Sequence, residues 1–589
     1  MLKKIYIAVG SIVFLLLVFK AVKAAGNNMV IYVTKPISGV KKLSTDTLVM
    51  GKISREIKIT AAPGEYEPAS FIVFARSDIN SLTLKASDLT GESGIIPSGN
   101  IDIKVVKCWY QGGGAWSGSG DVQDQNKRVL VPELLLNDDT LVKVDYKKEK
   151  NYLKVVYSRG TASEKEKYIW MSEPNEVNPH PGRDARIRNI EDIPVQDSPV
   201  LLPVDIPART NKQFWITVKA PDTAKAGVYT GTIILSSGGE NSALTLTVRV
   251  LPFKLASPRR YDLQEDFVSS IYYHGKLNPD RPEGSISSED KSKEQLRAEL
   301  KNMFSHGVTN PQCNQGFSEA LFRTYLDIRQ EAGMGGQPLY LLNWCPDSVH
   351  ASSNPADIKK TIEITQSYGI PEVYFYGADE ARGDALTAQR PAWEATRKAG
   401  GKIFVAGYVD SNFEKMGDIQ DLLVCWGAPL SEEAAKWHSV GHKIWCYFNP
   451  QSGAENPEIY RRNFGLLLWL KNYDGAATFS YQAAADNVWN DFDNAVQRDF
   501  VFAYPTVNGV IDTLAWEGYR EAIDDIRYAT TLKLEIAEAK KSADAGIKET
   551  ALSAEQWLSQ LDINRDLDTV RLEIINHILK LKNRSPITE

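Results

Sequence analysis

Between residues 267 and 481 eight short runs of dense β-formers alternate with helix-like stretches, and this alternation leaves few folds open to the chain. The runs are FVSSIYY (267–273), VTNPQ (308–312), PLYLLNW (338–344), VYFY (373–376), IFVAGY (403–408), LLVCW (422–426), KIWCYF (443–448) and AATFSY (476–481). Stretches such as SKEQLRAELKNMFSHG and EALFRTYLDIRQEAG fill the gaps and end in Gly, the usual C-terminal stop of a helix. Strand, helix, strand in sequence predicts parallel pairing, and eight such units predict a (β/α)8 barrel. In that architecture active-site residues gather at the C-terminal ends of the strands. The fourth run ends there in Gly377, Ala378, Asp379 and Glu380, two adjacent carboxylates on a buried strand. An ionised carboxylate is costly to bury without a partner, so the pair predicts a cleft where a cation or a proton-requiring group sits.

Upstream, residues 29–255 carry short alternating runs broken by Gly, Pro, Asn and Asp, among them EIKITAAPGEYEPASFIVFA, NKQFWITVKA and ALTLTVRV. Period-two patterning without a long helical period predicts an antiparallel β-sandwich. Two polar excursions, 111–120 around Trp116 and 173–188, read as long loops that reach toward a neighbouring site. At 255–260, LASPRR interrupts the strand rhythm. Downstream of the barrel, apolar residues at i, i+3 and i+4 predict helices. The resulting plan is a leader at 1–24, a β-sandwich at 25–256, the barrel at 257–530 and a short helical appendix at 531–589.

The leader reading rests on Lys3 and Lys4, the apolar run 5–19 and the small residues Ala24 and Ala25, the order of a secretory signal peptide. Export is therefore expected, with an uncleaved membrane anchor as the alternative. The balance of 68 basic against 74 acidic residues, net −6, gives no basic footprint and argues against nucleic acid. Cys108, Cys313, Cys345, Cys425 and Cys446 show no C-x-x-C spacing, so neither a zinc site nor a disulfide framework is indicated, and buried thiols are expected. His438 and His442 are spaced i, i+4, but Gly441 intervenes and no Glu takes the metalloprotease position. No metal and no organic cofactor is expected, nor an obligate protein partner.

Neighbouring residues at a strand end point in different directions, so Asp379 and Glu380 are expected to have different roles. In glycoside hydrolysis one carboxyl gives a proton to the leaving oxygen, and the second supports charge on the far side of the ring. When the sugar carries a 2-acetamido group, its own carbonyl oxygen can attack the anomeric carbon, and the second carboxylate need only orient that amide.

Four segments, GEYEPASF (64–71), APDTAKAGVYTGTIIL with VLPF (220–253), the strand ending in ADE (378–380) and WEGYREAIDDIRY (516–528), together resemble the glycoside hydrolase family 123 type and a broad group related to it. The known members of that family are β-N-acetylgalactosaminidases. The resemblance implies that Asp379 orients the acetamido group and that Glu380 is the general acid/base, with retention and a glycan or glycoconjugate as partner. It also implies a tyrosine on the acetamido oxygen. Tyr447 is chosen by position, with Tyr408 and Tyr481 as rivals. Trp344 and Trp426 end their runs and suit a sugar platform, while His274 and Asn310 are candidates for hydroxyl contacts. Asp410, Asp486 and Asp491 are further, weaker candidates. Another sugar, or carbohydrate binding without catalysis, is the alternative.

Overall fold

The computed structural model describes residues 28–112, 127–156, 166–171, 194–280, 286–316, 318–342, 355–453, 455–484, 487–492 and 498–588. In the N-terminal part, six strands pair in the order Lys52–Ile53, Met29–Thr34, Tyr66–Ala75, Asn211–Lys219, Ile101–Gln111 and Val129–Leu136. A second sheet runs Val204–Ile206, Ile79–Ala86, Gly227–Ser237, Glu240–Val250 and Glu56–Ala61. Alternate residues of both sheets meet in one apolar cluster: Phe71, Val73, Phe214 and Ile216 from the first, Leu82, Ile233, Leu244 and Leu246 from the second. The two-residue side-chain period is what places every second residue there. The antiparallel expectation fails at one pair, because Glu240–Val250 runs parallel to Glu56–Ala61.

The C-terminal part holds an all-parallel sheet of seven strands: Val268–Ile271, Gly475–Thr478, Lys443–Phe448, Leu422–Trp426, Lys402–Tyr408, Val373–Tyr376 and Leu339–Leu341, in that spatial order. The sequence predicts eight strands, and the run 308–312 does not form one. Pro311 has no N–H to give a ladder. The segment nevertheless lies between the two edge strands: Asn310 and Gln312 N–H donate to the Ser269 and Ile271 carbonyls at 3.2 and 3.0 Å, and Cys313 N–H donates to Tyr340 at 2.7 Å.

Both faces of the parallel sheet are buried, as its near-continuous apolar runs require. One face gathers Tyr272, Tyr340, Tyr374, Phe404, Leu422, Val424, Trp445 and Tyr447. The other packs Leu339, Phe375, Ile403, Leu423 and Ile444 against helical residues such as Leu296, Trp393 and Trp437. Cys108, Cys313, Cys425 and Cys446 are buried, whereas Cys345 lies outside the described residues.

The helix Leu514–Ala539 starts on Thr513, whose hydroxyl accepts from Trp516 N–H. Through it the segments 64–71 and 516–528, far apart in sequence, come into contact. Glu65 accepts from Tyr528 Oη at 2.7 Å and from Ala62 N–H at 2.6 Å. Arg571, on the helix Leu567–Leu581, bridges Glu67 at 3.0 Å, Glu521 at 2.7 Å and Asp525 at 2.6 Å, and Arg461 takes the other oxygen of Asp525 at 2.7 Å. Burying this many charges is tolerable only because nearly every carboxylate has a guanidinium or hydroxyl donor. The C-terminal helices belong to the same apolar cluster as the helical layer of the parallel sheet, through Val570, Ile574 and Ile578.

Candidate active site

The site begins with the strand Val373–Tyr376, whose first three residues are fully buried. Tyr374 and Tyr376 share the inner face, two residues apart, and Phe375 takes the other. Beyond Tyr376 the chain turns. Gly377 has no room for a side chain, since a Cβ there would lie 2.8 Å from Trp393 and 3.1 Å from Gln389 Oε1. That Gln389 oxygen accepts the Ala378 N–H at 2.6 Å, and Glu380 N–H donates to the Ala406 carbonyl at 3.1 Å. These contacts hold Glu380 at a φ of +48°, a left-handed conformation that costs a non-glycine residue about 1–2 kcal/mol. Strain of this kind persists where the surroundings impose it, and it clusters at functional sites.

The two carboxylates are held separately, each by tyrosine. Asp379 Oδ1 accepts from Tyr376 Oη at 2.6 Å. With that proton committed, the 2.9 Å contact between Tyr376 and Tyr272 must have Tyr272 as donor, so the chain runs from Tyr272 to Tyr376 to Asp379. Glu380 accepts from Tyr408 Oη on one oxygen at 2.7 Å and from Tyr447 Oη on the other. Burial raises the Asp379 pKa, the negative charge of Glu380 adds to the rise, and the Tyr376 hydrogen bond opposes it. Burial likewise pushes Tyr272, Tyr376 and Tyr447 upward, so these hydroxyls stay protonated and remain donors.

Around the dyad stands an aromatic wall. Tyr272 packs 6.0 Å from Tyr447 and 5.4 Å from Phe479, and Tyr408 lies 5.8 Å from Trp426. Trp426 is 40% exposed. Arg382, exposed, stacks its guanidinium 3.4 Å over Tyr408.

Of the residues singled out from sequence, the structure brings together Asp379, Glu380, Tyr447, Tyr408 and Trp426. Tyr481 is placed elsewhere: it is buried against Tyr273 and Trp516 and donates to Asn302 Oδ1 at 2.9 Å, on the helical side. Asn310 is fully buried with its oxygen committed to Arg329 at 2.9 Å. His274 packs 5.4 Å from Phe479, and burial lowers its pKa, which keeps it neutral. No hydrogen bond joins it to either carboxylate. Trp344, Asp486, the loop 173–188 and all but the first two residues of 111–120 lie outside the described residues. Asp410 is exposed, and Asp491 is buried against Arg498 at 3.0 Å, with its pKa raised by burial.

Sequence reasoning missed Tyr272, Tyr376 and Arg382. The two tyrosines were legible as inward residues at strand ends; nothing in the pattern marked Arg382. Gln312 was missed as well. It is fully buried, its amide faces the Tyr272 hydroxyl, and it closes no well-aligned hydrogen bond.

His438 and His442 do not converge, because the first pairs with Asp474 at 2.9 Å and the second with the Gly417 carbonyl at 2.9 Å. Among the described residues, one grouping has the donors to hold a metal: His306, Asp512 and Glu517 each bring one ligand atom within 4.8 Å of the others. Arg520 already ion-pairs with Glu517 and supplies positive charge there.

No family model matches the chain, and no curated protein matches it. Among solved structures, the fold is similar to that of a family 123 glycoside hydrolase from Clostridium perfringens described in terms of glycolipid glycan hydrolysis: TM-score 0.56, 14% identity, covering 93% of this chain and 99% of that one. A β-glucuronidase from Parabacteroides merdae gives a TM-score of 0.30 at 10% identity over 77% of this chain and 67% of that one. An endo-β-1,4-mannanase from Thermotoga petrophila gives 0.27 at 12% identity over 44% and 76%. The first likeness spans nearly both chains from end to end and, at its identity, is a likeness of fold.

Proposed function

We propose that this protein is a retaining glycoside hydrolase that cleaves terminal β-linked N-acetylhexosamine, N-acetylgalactosamine first, with the substrate's own acetamido group as nucleophile. The observation that carries the reading is the pair Asp379 and Glu380 at the end of a parallel strand, adjacent in sequence yet held by different tyrosines. The likeness in fold to a glycan-hydrolysing enzyme supports it.

In this mechanism the acetamido carbonyl oxygen attacks the anomeric carbon while Glu380 gives its proton to the glycosidic oxygen, and the aglycone leaves. Asp379 accepts a hydrogen bond from the acetamido N–H and offsets the positive charge of the oxazolinium ring. Glu380, now ionised, takes a proton from water as the water attacks the same carbon. Ring opening restores the acetamide, and two inversions give net retention. Tyr447 turns from Glu380 to the acetamido oxygen when substrate enters, and Trp426 stacks on a sugar face. The protein is exported by its N-terminal segment, which lies outside the described residues. Among the described residues no helix is long and apolar enough to cross a membrane.

One observation favours a second assignment within the same chemistry. Burial and the neighbouring charge raise the Asp379 pKa, whereas Glu380 accepts two hydroxyl protons, the environment of a working carboxylate. The roles would then be exchanged. Hydrolysis of aryl β-GalNAc and β-GlcNAc with good and poor leaving groups separates the two. Replacing the acid (Glu380→Gln in the favoured reading) slows poor leaving groups about 10²–10⁴-fold and spares good ones, while replacing the orienting carboxylate (Asp379→Asn) slows both alike. No turnover of any aryl glycoside, with sugar still bound, replaces the enzyme by a carbohydrate-binding protein.

A further inference from the structure

Arg382 is the feature of the site that the proposed reaction does not use. Its guanidinium carbon lies over the ring of Tyr408, 3.4 Å from the centroid, and that ring's hydroxyl is bonded to Glu380. Two carboxylates stand within a few residues of it, yet among the described residues Arg382 forms an ion pair with neither, nor with Asp384 on the helix Gly383–Thr387. A guanidinium held over an aromatic ring still has N–H donors to spare, and a carboxylate or sulfate is the group it takes through two parallel hydrogen bonds. The side chain is exposed, and the Tyr408 ring it covers lies 5.8 Å from Trp426.

Resting on the assignment of Glu380 as the group that protonates the glycosidic oxygen, we propose that Arg382 forms an anion subsite for the sugar on the leaving side. The substrate would then be an acidic glycan, in which the N-acetylhexosamine is linked to a sugar bearing a carboxylate or a sulfate ester. Glu380 faces the bond to be cleaved, so groups one tyrosine ring beyond it face the leaving sugar. Trp426 gives that sugar a stacking surface, and Arg382 reads its charge. Beside two carboxylates, a cation without an ion-pair partner among the described residues is what lets an anionic sugar approach.

The test compares three methyl disaccharides, GalNAc β-linked to glucose, to glucuronic acid and to glucose 6-sulfate, with release of GalNAc followed by chromatography. The expected result is a kcat/KM at least tenfold higher for one or both acidic substrates than for the neutral one. Whichever acid is favoured identifies the anion. In Arg382→Gln that ratio falls to about one whatever happens to the neutral rate, and Arg382→Lys restores part of it. A wild-type ratio of one or less, or a ratio unchanged in Arg382→Gln, overturns the proposal. If none of the disaccharides and no aryl glycoside is cleaved, the proposed reaction fails, and calorimetry with glucuronic acid, glucose 6-sulfate and glucose decides the subsite alone. Tighter binding of an acid that is lost in Arg382→Gln supports it, and equal binding of all three refutes it.

Discussion

Replacing Tyr376 by Phe removes one hydroxyl and tests the link between the tyrosine relay and Asp379. The ring keeps its contacts with Phe404 at 4.9 Å and Tyr272 at 6.3 Å, so packing changes little. Asp379 Oδ1 loses its 2.6 Å donor, while the freed Tyr272 hydroxyl has the Gln312 amide within reach. A hydrogen bond to an ionised group contributes about 1.5–3 kcal/mol. Asp379 is exposed, so water replaces part of the lost donor, and the loss biases the Asp379 equilibrium toward the protonated form by at most about 10-fold. Burial already raises this pKa and the Tyr376 hydrogen bond opposes the rise, so the variant moves it further up. If ionised Asp379 orients the acetamido group, the acidic limb of kcat/KM moves to higher pH in the variant and the loss of rate is largest at low pH. If Asp379 is instead the proton donor, the basic limb moves up. Carboxyl-carbon NMR titration reads the same displacement without turnover. A profile and a titration that stay where the wild type has them, or move to lower pH, would falsify the relay.

Three further outcomes follow from the buried ionic network and the dyad's turn. Arg571→Met leaves Glu67, Glu521 and one oxygen of Asp525 without their shared guanidinium, and urea unfolding should show a loss of about 3–5 kcal/mol. Burial pushes the Glu65 pKa from its ordinary 4.5 up to about 8, so the folded state holds a proton that the unfolded state has released. The associated stability is fully present below pH 4.5 and is lost as pH rises through about 8. Wild type should thus lose up to about 5 kcal/mol relative to Glu65→Gln across that window, measured by denaturation at several pH values, and parallel curves would refute it. Gly377→Ala forces Cβ against Trp393 and the Gln389 oxygen that holds the Ala378 N–H. A cost of about 1–3 kcal/mol in thermal unfolding is expected, with a fall in kcat larger than any change in KM.

Much of the fold was legible because periodicity is a local property. Alternation in ALTLTVRV reports which face of a strand is buried, and the apolar runs VYFY and LLVCW report strands covered on both sides, whatever lies around them. The place of Asp379 and Glu380 followed from the same logic, since a strand's C-terminal end is fixed once its direction is. Tyr408, Trp426 and Tyr447 were found because inward residues at strand ends recur every second position. The run VTNPQ was misread: Pro311 withholds a ladder hydrogen bond, but the segment is seated by its neighbours' carbonyls, which the sequence does not display. Tyr481 was misplaced because its direction is set after the regular strand Gly475–Thr478 has ended, where alternation no longer applies.

Apart from the run 308–312, the sequence by itself therefore determined the kinds of element along the parallel sheet, their order, and which strand end carries the acidic pair. Only the tertiary structure decided how each carboxylate is held, by Tyr376 for Asp379 and by Tyr408 and Tyr447 for Glu380, and that Glu380 adopts a left-handed φ. It also decided that Arg571 joins Glu67 to Glu521 and Asp525. The physical reason is the range of the interactions: burial patterns arise from neighbours a few residues apart, whereas a hydrogen bond between Glu380 and Tyr447 joins residues 67 positions apart and exists only once the strands are laid side by side.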